Sequence, residues 1–313
     1  MISLYNCQYE DLNFLGKLLI PLKFFFMRKH IYQKMIQGKY DVEIAFLEGP
    51  VTRLLSEPNP EAEKIAWIHN DISLVFGEGF KAKIKRRIDE KIYQQYEHLV
   101  FVSQENLIDF NNLYTMKNDK RVIYNYIDKE NVLKKTEEPV MDITSNVPVF
   151  VSVARLVEQK AIDRLIRIHA ELIQDGYFHK IYVIGDGPLK EELEKQIQLL
   201  NCKDTFILLG KKENPYPYMK QADYFCLLSK FEGYGMVLEE AKILDKFIII
   251  TSTAAREAVQ DYEKKLIVAN NEEGIYKGLK QLIVDPKQYR EIIKTEKYDN
   301  YHLIEEIIDL VGD

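Results

Sequence analysis

Cysteine is scarce in this chain of 313 residues, which contains three cysteines and no Cys-x-x-Cys pair. The odd number and wide spacing of Cys7, Cys202 and Cys226 argue against a disulfide framework and against a zinc site. Unpaired cysteines of this kind are typical of small buried side chains in a reducing compartment. The sequence therefore predicts a cytoplasmic protein without structural disulfides.

Long apolar runs are also missing, since no stretch of about 18 apolar residues occurs and a membrane-spanning helix is not expected. The start, MISLYNCQYED, lacks the basic segment and apolar run of a signal peptide. The net charge of −6 and the absence of a nucleic-acid-binding motif argue against nucleic acid as a partner. The dinucleotide fingerprint G-x-G-x-x-G is absent as well.

Strands and helices alternate through the second half of the chain. The apolar runs that read as strands are continuous rather than alternating, which is typical of a parallel sheet covered on both faces. The predicted strands are 149–153, 180–184, 205–209, 224–228 and 247–251. The helices predicted between them are 163–174, 189–200, 218–221 and 235–244.

The first half follows a similar alternation with a weaker pattern. Strands are predicted at 42–47, 64–68, 98–102 and 121–124, and helices at about 17–38, 79–97 and 104–116. The segment 136–148 is polar, contains two prolines and shows no periodicity, so it is the predicted linker. A chain of this length is expected to form about two domains.

The strongest candidate site is the segment 229–241, SKFEGYGMVLEEA, which follows an apolar strand and opens a helix. Glycines at such a turn allow close approach of a ligand, and the free N–H groups of the helix start suit a phosphate. Glu232 and Glu240 would lie at different depths of one cleft at the edge of the sheet, where carboxylates can accept hydrogen bonds from sugar hydroxyls. The alternative is a glycine-rich turn followed by a solvated helix.

Two further loops follow predicted strands. Arg155 and Lys160 are five residues apart after the first strand of the second half, so both cations could converge on one diphosphate. Two basic residues in a loop are, however, more often simply solvated. The segment 185–188, Gly-Asp-Gly-Pro, is by itself only a turn.

Taken together and in this order, three motifs resemble glycosyltransferase family 4, the retaining enzymes of the GT-B fold. The motifs are VSVARLVEQKAIDRLI, YVIGDGPLKEEL and SKFEGYGMVLEEA, and weaker similarity continues upstream through KIAWIHND, HLVFVSQ and RVIYNYID. The resemblance implies an α/β protein with two Rossmann-like domains that face a cleft. It also implies transfer of a sugar from a nucleotide-diphosphate sugar, such as a UDP-sugar, to a saccharide or lipid-linked acceptor in polysaccharide or glycoconjugate synthesis.

The resemblance assigns roles to individual residues. Arg155 and Lys160 would neutralise the donor diphosphate, Glu232 would contact the donor sugar, and Glu240 would hold the ribose hydroxyls. His69 would face the donor sugar from the first domain, although a histidine at a strand end usually has no special role. The backbone amides of the glycine-rich turn would hold the sugar and phosphate; these belong to Gly233, Tyr234, Gly235, Met236 and Val237. Neither a metal ion nor a cofactor is expected besides the donor substrate.

The resemblance also predicts the domain arrangement. Residues 1–140 would form the acceptor-side domain, 146–295 the nucleotide-sugar-binding domain, and 296–313 a helix that returns to the first domain. Family members begin with a strand and a glycine-rich loop that have no counterpart here, so we expect the first domain to be incomplete. Two other hypotheses remain: a nucleotide-sugar epimerase of similar fold, and a truncated, non-catalytic partner subunit that binds nucleotide sugar.

Basic residues cluster twice in the first half, over 17–39 and again over 81–87. Basic segments with apolar neighbours are typical of contacts with anionic membrane surfaces, which would suit an acceptor carried on a lipid. A helix that turns its apolar face toward its own core explains the pattern equally well. The sequence thus predicts peripheral contact with the inner face of the membrane as one of two possibilities.

Overall fold

The computed structural model describes residues 27–69, 79–286 and 300–312. The chain divides into two compact units, Met1–Ile123 and Tyr124–Asp313. Residues 124–140, which the sequence assigned to the first domain, therefore group with the second unit. Residues 136–148 contain no helix or strand. The return of 296–313 to the first domain stays a prediction.

The first unit contains a four-stranded parallel sheet in the order β1-β2-β3-β4, formed by β1 (Val42–Ala45), β2 (Glu63–Ile68), β3 (His98–Phe101) and β4 (Asp119–Val122). All four strands were predicted, with ends that differ by up to two residues. The helices of this unit are α1 (Pro50–Leu55), α2 (Phe80–Tyr93) and α3 (Gln104–Leu113), and residues 27–35 are also helical. α1 was not predicted, because six residues are too few to show a helical period.

The core of the first unit is aromatic. Phe110 of α3 packs edge-on against Phe101 of β3 at 4.9 Å between ring centroids and against Tyr93 of α2 at 5.4 Å. Ser103 caps the start of α3, and its hydroxyl accepts a hydrogen bond from the N–H of Asn106. Of the basic stretch 17–39, residues 17–26 lie outside the described part of the chain; in the remainder, Tyr32 packs against this core.

The second unit contains six parallel strands in the order β10-β9-β8-β5-β6-β7. They are β5 (Val149–Val153), β6 (Lys180–Ile184), β7 (Phe206–Gly210), β8 (Tyr224–Leu227), β9 (Phe247–Thr251) and β10 (Lys265–Val268). The first five were predicted and β10 was not. This is the strand order of the Rossmann fold, whose direction of winding reverses between the first and fourth strands. That switch point lies here between β5 and β8.

The second unit contains seven α-helices within the described residues. They are α4 (Lys129–Lys135), α5 (Ile162–Gln174), α6 (Lys190–Leu199), α7 (Tyr216–Gln221), α8 (Met236–Ile243), α9 (Glu272–Val284) and α10 (His302–Val311). α4 and α9 were not predicted. The core is largely aliphatic, and Ile166 of α5 and Leu279 of α9 are fully buried in it. Nowhere in the described part of the chain is a helix long and apolar enough to cross a membrane.

Two fully buried histidines are in contact: His169 on α5, and His179 just before β6. His179 donates a hydrogen bond through Nδ1 to the carbonyl oxygen of Tyr177, 2.8 Å away, so its Nε2 is left as an acceptor. Nδ1 of His169 lies 2.9 Å from that Nε2 and donates to it, and the hydroxyl of Thr205 lies 2.9 Å from Nε2 of His169. Burial lowers the pKa of His169 to about 3 and that of His179 to about 4, so both rings are neutral.

Candidate functional site

Two loops meet at the switch point of the second sheet. The first, residues 154–160, follows β5, and the second, residues 228–235, follows β8. The N–H of Lys230 donates to the carbonyl of Gln159 at 2.8 Å, and the Gln159 side-chain amide donates to the carbonyl of Phe231 at 3.1 Å. Two hydrogen bonds of Gln159, one through its backbone and one through its side chain, therefore join the loops and fix their relative position.

The centre of this arrangement is an ion pair between Lys160 and Glu232. Both side chains are largely buried, with 14% of Lys160 and 12% of Glu232 exposed. The hydroxyl of Ser229 also donates to the Glu232 carboxylate, at 3.2 Å. The resemblance implied that Lys160 would bind the donor diphosphate and Glu232 the donor sugar. In the structure the two are brought together, and each neutralises the other.

Arg155 lies in the same loop as Lys160 but is exposed. Among the residues that the structure describes, its side chain has no hydrogen bond or ion pair. A planar guanidinium with all its donors available can bind two oxygens of one phosphate. Arg155 is thus the cation of this loop that needs to give up no internal partner to bind an anion.

The glycine-rich turn is shaped by Gly235, which has φ 72° and directly precedes α8. Glycine adopts this left-handed conformation without the strain that a Cβ would cause. The neighbouring Tyr234 is buried and donates a hydrogen bond to the carboxylate of Glu239 at 2.7 Å. The buried Tyr234 therefore anchors the turn. The backbone amides of the turn lie where α8 starts, after the carboxyl end of β8.

Tyr124 supports the same turn, and this role was not predicted from the sequence. Its ring stacks on that of Tyr234 with centroids 5.0 Å apart, and its hydroxyl donates to Glu257 at 2.8 Å. The segment RVIYNYID resembled the family, but no chemical signal singled out this tyrosine. Only the folded chain shows that Tyr124 is stacked beneath the motif.

Glu240, on α8, is held by a second tyrosine whose role was not predicted from the sequence. The hydroxyl of Tyr216 donates to the Glu240 carboxylate at 3.0 Å. Burial raises the pKa of Glu240 above its usual range, and the hydrogen bond from Tyr216 and the charge of Lys135 partly oppose this effect. A half-buried carboxylate with one oriented oxygen can accept hydrogen bonds from vicinal hydroxyls, such as those of a ribose.

The Gly-Asp-Gly-Pro turn has a structural role that its sequence did not reveal. A Cβ on Gly185 would lie 1.9 Å from the carbonyl oxygen of Ala154, and one on Gly187 would lie 2.4 Å from that of Leu156. The N–H of Leu156 donates to the carbonyl of Asp186 at 2.9 Å. These glycines allow the turn after β6 to pack directly against the loop that carries Arg155.

His69 lies in the first unit, directly after β2. Its ring makes an edge contact with Phe46 at 4.6 Å between centroids, and its N–H donates to the carboxylate of Glu48. Its Nε2 is buried and has no hydrogen-bond partner in the described part of the chain. Burial lowers the pKa of His69, so the ring is neutral at physiological pH.

Residues 27–69, 79–286 and 300–312 contain no cluster of three His, Cys, Asp or Glu side chains that could hold a metal ion. That catalysis requires no metal stays a prediction.

A Rossmann-type sheet with a glycine-rich turn and basic side chains at its switch point defines an α/β protein of the nucleotide-binding class. The sequence model of the family described as "Glycosyl transferases group 1" matches residues 134–298, more than half of the chain. The chain therefore belongs to the group 1 glycosyl transferases, as the resemblance predicted.

Curated relatives agree with this assignment. The chain is 32% identical over 212 residues to the N-acetylgalactosamine-N,N'-diacetylbacillosaminyl-diphospho-undecaprenol 4-alpha-N-acetylgalactosaminyltransferase of Campylobacter jejuni, covering 66% of this chain and 56% of the relative. It is 28% identical over 192 residues to an uncharacterised glycosyltransferase of Methanocaldococcus jannaschii, covering 60% and 47%. The chain thus spans about half the length of the curated relatives it matches.

Solved structures show the same fold. HepE of Anabaena in complex with UDP superposes with a TM-score of 0.74 at 16% identity, covering 91% of this chain and 81% of that one. TarM of S. aureus superposes with a TM-score of 0.72 at 18% identity, covering 92% and 58%. At these identities the similarity concerns the fold alone, and it confirms the predicted GT-B class.

Proposed function

We propose that this chain binds a nucleotide-diphosphate sugar in its second unit and transfers the sugar, with retained anomeric configuration, to a saccharide or lipid-linked hydroxyl. The observation that carries this proposal is the arrangement at the switch point. There, Lys160 and Glu232 pair beneath the glycine-rich turn, and Arg155 is exposed in the adjoining loop. Strand order, glycine turn and cations all favour a nucleotide diphosphate at this edge.

The proposed role of each residue in sugar transfer follows from where negative charge develops during the reaction. When the bond between the sugar and the diphosphate breaks, negative charge grows on the leaving phosphate. Arg155, Lys160 and the backbone amides at the start of α8 can stabilise that charge without a metal ion. Glu232 would accept hydrogen bonds from the sugar hydroxyls, and Glu240, held by Tyr216, would accept those of the ribose. His69 would face the sugar from the first unit.

The donor and acceptor classes are supported by related proteins. HepE was crystallised with UDP, and the Campylobacter relative is named for a sugar acceptor on diphospho-undecaprenol. By analogy we propose a UDP-sugar as donor and a lipid-linked saccharide as acceptor. A lipid-linked acceptor would require the protein to work at a membrane surface, and we propose that this is the cytoplasmic face.

Isothermal titration calorimetry with a panel of nucleotide diphosphates and nucleotide sugars tests the donor site. We expect one base to be preferred, and Arg155→Ala to weaken its binding by about 1–3 kcal/mol, the contribution of a charge-assisted contact. Lys195→Ala, which removes an exposed charge from α6, is the matched control and should bind like the wild type. Equal affinity in both variants would contradict the assignment of Arg155 to the diphosphate.

Product analysis distinguishes this proposal from its alternatives. A transferase consumes the donor only when an acceptor is present, apart from slow hydrolysis, and NMR of the product should show the anomeric configuration of the donor. An epimerase would convert the nucleotide sugar without an acceptor. A non-catalytic partner subunit would bind donor in the calorimeter but show no turnover with any member of an acceptor screen.

A further inference from the structure

α2 carries an exposed apolar stripe in addition to the face that it buries in the core. Phe80, Ile84 and Ile88 are 78%, 46% and 44% exposed. Because they are spaced four residues apart, they follow one another along one side of the helix. A helix that used its apolar residues only for its own core would not leave three of the largest on the surface.

The core-facing side of α2 is formed by other residues. Ala82, Ile92 and Tyr93 are buried, and Tyr93 belongs to the aromatic core of the first unit. Asp89, also on this side, pairs with Arg53 of α1 at 3.1 Å. The helix therefore has two apolar faces: one is buried in the core of the first unit, and the other is exposed in the part of the chain that the structure describes.

Basic side chains flank the exposed stripe. Lys83, Arg87 and Lys91 are exposed, are also spaced four residues apart, and form a row beside the apolar one. None of these three side chains has an ion pair or hydrogen bond in the part of the chain that the structure describes. Over its 14 residues α2 has six basic and two acidic residues, although the whole chain has a net charge of −6. α2 is thus a locally basic surface of a protein whose net charge is negative.

We infer that this surface, Phe80, Ile84 and Ile88 together with Lys83, Arg87 and Lys91, binds the surface of an anionic lipid bilayer. A bilayer offers both features at once: apolar side chains enter the boundary between headgroups and acyl chains, while lysine and arginine remain among anionic headgroups. The net charge of the whole chain is −6, so the attraction to an anionic bilayer depends on the local concentration of cations on α2 and not on the overall charge.

Other occupants match this surface less well. In a second copy of the chain, α2 would bring like charges together, which opposes association. Nucleic acid would pair with the cations but has no use for three neighbouring apolar side chains. An acidic protein partner could use both features, and the experiment includes a measurement that detects it.

The first experiment is flotation of the full chain with vesicles of phosphatidylglycerol and phosphatidylcholine in equal parts, and with vesicles of phosphatidylcholine alone. We expect binding to the anionic vesicles at low salt that weakens as salt is added. The triple variant Lys83→Gln, Arg87→Gln, Lys91→Gln should bind about 100-fold more weakly, since each cation near an anionic surface contributes about fivefold. Lys134→Gln, Lys195→Gln, Lys203→Gln removes the same charge from the second unit and should weaken binding much less.

The apolar stripe is tested separately. Phe80→Ser, Ile84→Ser, Ile88→Ser should weaken binding to anionic vesicles about tenfold or more while the charges are unchanged. Ile108→Ser, at an exposed apolar position on α3 of the same unit, is the control and should have little effect. Far-UV circular dichroism and thermal melting of each variant establish that it is folded.

The variant Phe80→Trp reports the depth of contact. Trp67, the chain's one tryptophan, is buried, so the fluorescence of the introduced indole can be distinguished by its response to lipid. We expect the emission of Phe80→Trp to shift to the blue with anionic vesicles and to be quenched by lipids brominated in their acyl chains. The absence of vesicle binding at low salt, unchanged binding by the stripe variant, or unquenched emission from Phe80→Trp would each overturn the inference.

A soluble anionic polymer, polyglutamate, serves as the probe for an acidic partner. Binding to polyglutamate as strong as to vesicles, and dependent on the same stripe, would also overturn the assignment to lipid. UDP affinity measured by calorimetry should be the same in all α2 variants and the wild type. The membrane surface and the proposed donor site can therefore fail independently of each other.

Discussion

Lys160 and Glu232 form an ion pair although they are 72 positions apart in the chain. The pair means that a phosphate approaching Lys160 competes with a carboxylate that is already in place. It also means that Glu232 repels an anion at the same point. The two residues should therefore have opposite effects on a ligand that has phosphates but no sugar.

For UDP alone, we expect Glu232→Gln to tighten binding by about fivefold to tenfold, equivalent to about 1 kcal/mol, and Lys160→Met to weaken it. Glu158→Gln removes the same charge from the loop after β5 and is the control. Calorimetry at constant ionic strength measures all three. Weaker UDP binding by Glu232→Gln would show that Glu232 does not compete for Lys160.

The contact between Tyr216 and Glu240 predicts how the site recognises ribose. If Glu240 binds the ribose hydroxyls, Glu240→Gln should reduce the preference for ribonucleotides over 2′-deoxyribonucleotides, by about 1–2 kcal/mol for a hydrogen bond to a charged group. Tyr216→Phe, which leaves the carboxylate but removes the hydrogen bond that orients it, should have a smaller effect in the same direction. Competition between UDP and 2′-deoxy-UDP measures the preference. The same preference in both variants and the wild type would contradict this role.

The buried pair His169 and His179 predicts a loss of stability in acid. Both pKa values in the folded protein, about 3 and about 4, lie below the value of about 6.5 in an unfolded chain. The unfolded state therefore binds protons first, and the free energy of unfolding decreases as the pH falls from about 6.5 toward 4. Each histidine contributes a slope of up to about 1.4 kcal/mol per pH unit.

Replacing both histidines by glutamine should flatten this slope, even if it lowers stability at neutral pH. Urea unfolding at a series of pH values measures it. His302→Gln, at an exposed histidine on α10, should leave the slope unchanged. A slope as steep in the double variant as in the wild type would mean that other groups control the acid sensitivity.

The close packing around Gly185 leaves no room for a side chain at this position. Gly185→Ala would force a Cβ against the carbonyl of Ala154, so we expect it to lower the free energy of unfolding by about 3 kcal/mol or more. Gly176 also has a positive φ, 86°, but a Cβ there would meet nothing within 4 Å. Gly176→Ala should therefore cost only about 1 kcal/mol of backbone strain. Similar losses in the two variants, measured by urea unfolding, would contradict the packing explanation.

The strands of the second unit were largely predictable because burial on both faces leaves a continuous apolar run. VFVSV, KIYVI and FIIIT coincide with β5, β6 and β9. β10 was missed because its four residues, KLIV, are half exposed and follow charged residues. α9 was missed because glycines weaken its helical pattern. A Cβ on Gly278 would lie 2.4 Å from Val268, so this glycine is explained by packing that the sequence does not show.

The site was predictable where its chemistry is local and unpredictable where it depends on tertiary contacts. The turn around Gly235 could be identified because strand, glycines and helix follow one another in the sequence. The hydrogen bond from Tyr216 to Glu240 and the stacking of Tyr124 on Tyr234 join distant segments, and tyrosine carries no motif of its own. The ion pair of Lys160 with Glu232 could not be predicted for the same reason.

The strand order of the second sheet has a consequence for synthesis of the chain on the ribosome. β5 can pair with β6, and β6 with β7, as soon as those segments emerge. The other edge of β5 is occupied by β8, through Phe150 beside Tyr224, and that edge stays open until residue 227 has been made. The two loops of the candidate site follow β5 and β8, so the site can form only once β8 pairs with β5. By then β5, β6 and β7 have already been synthesised.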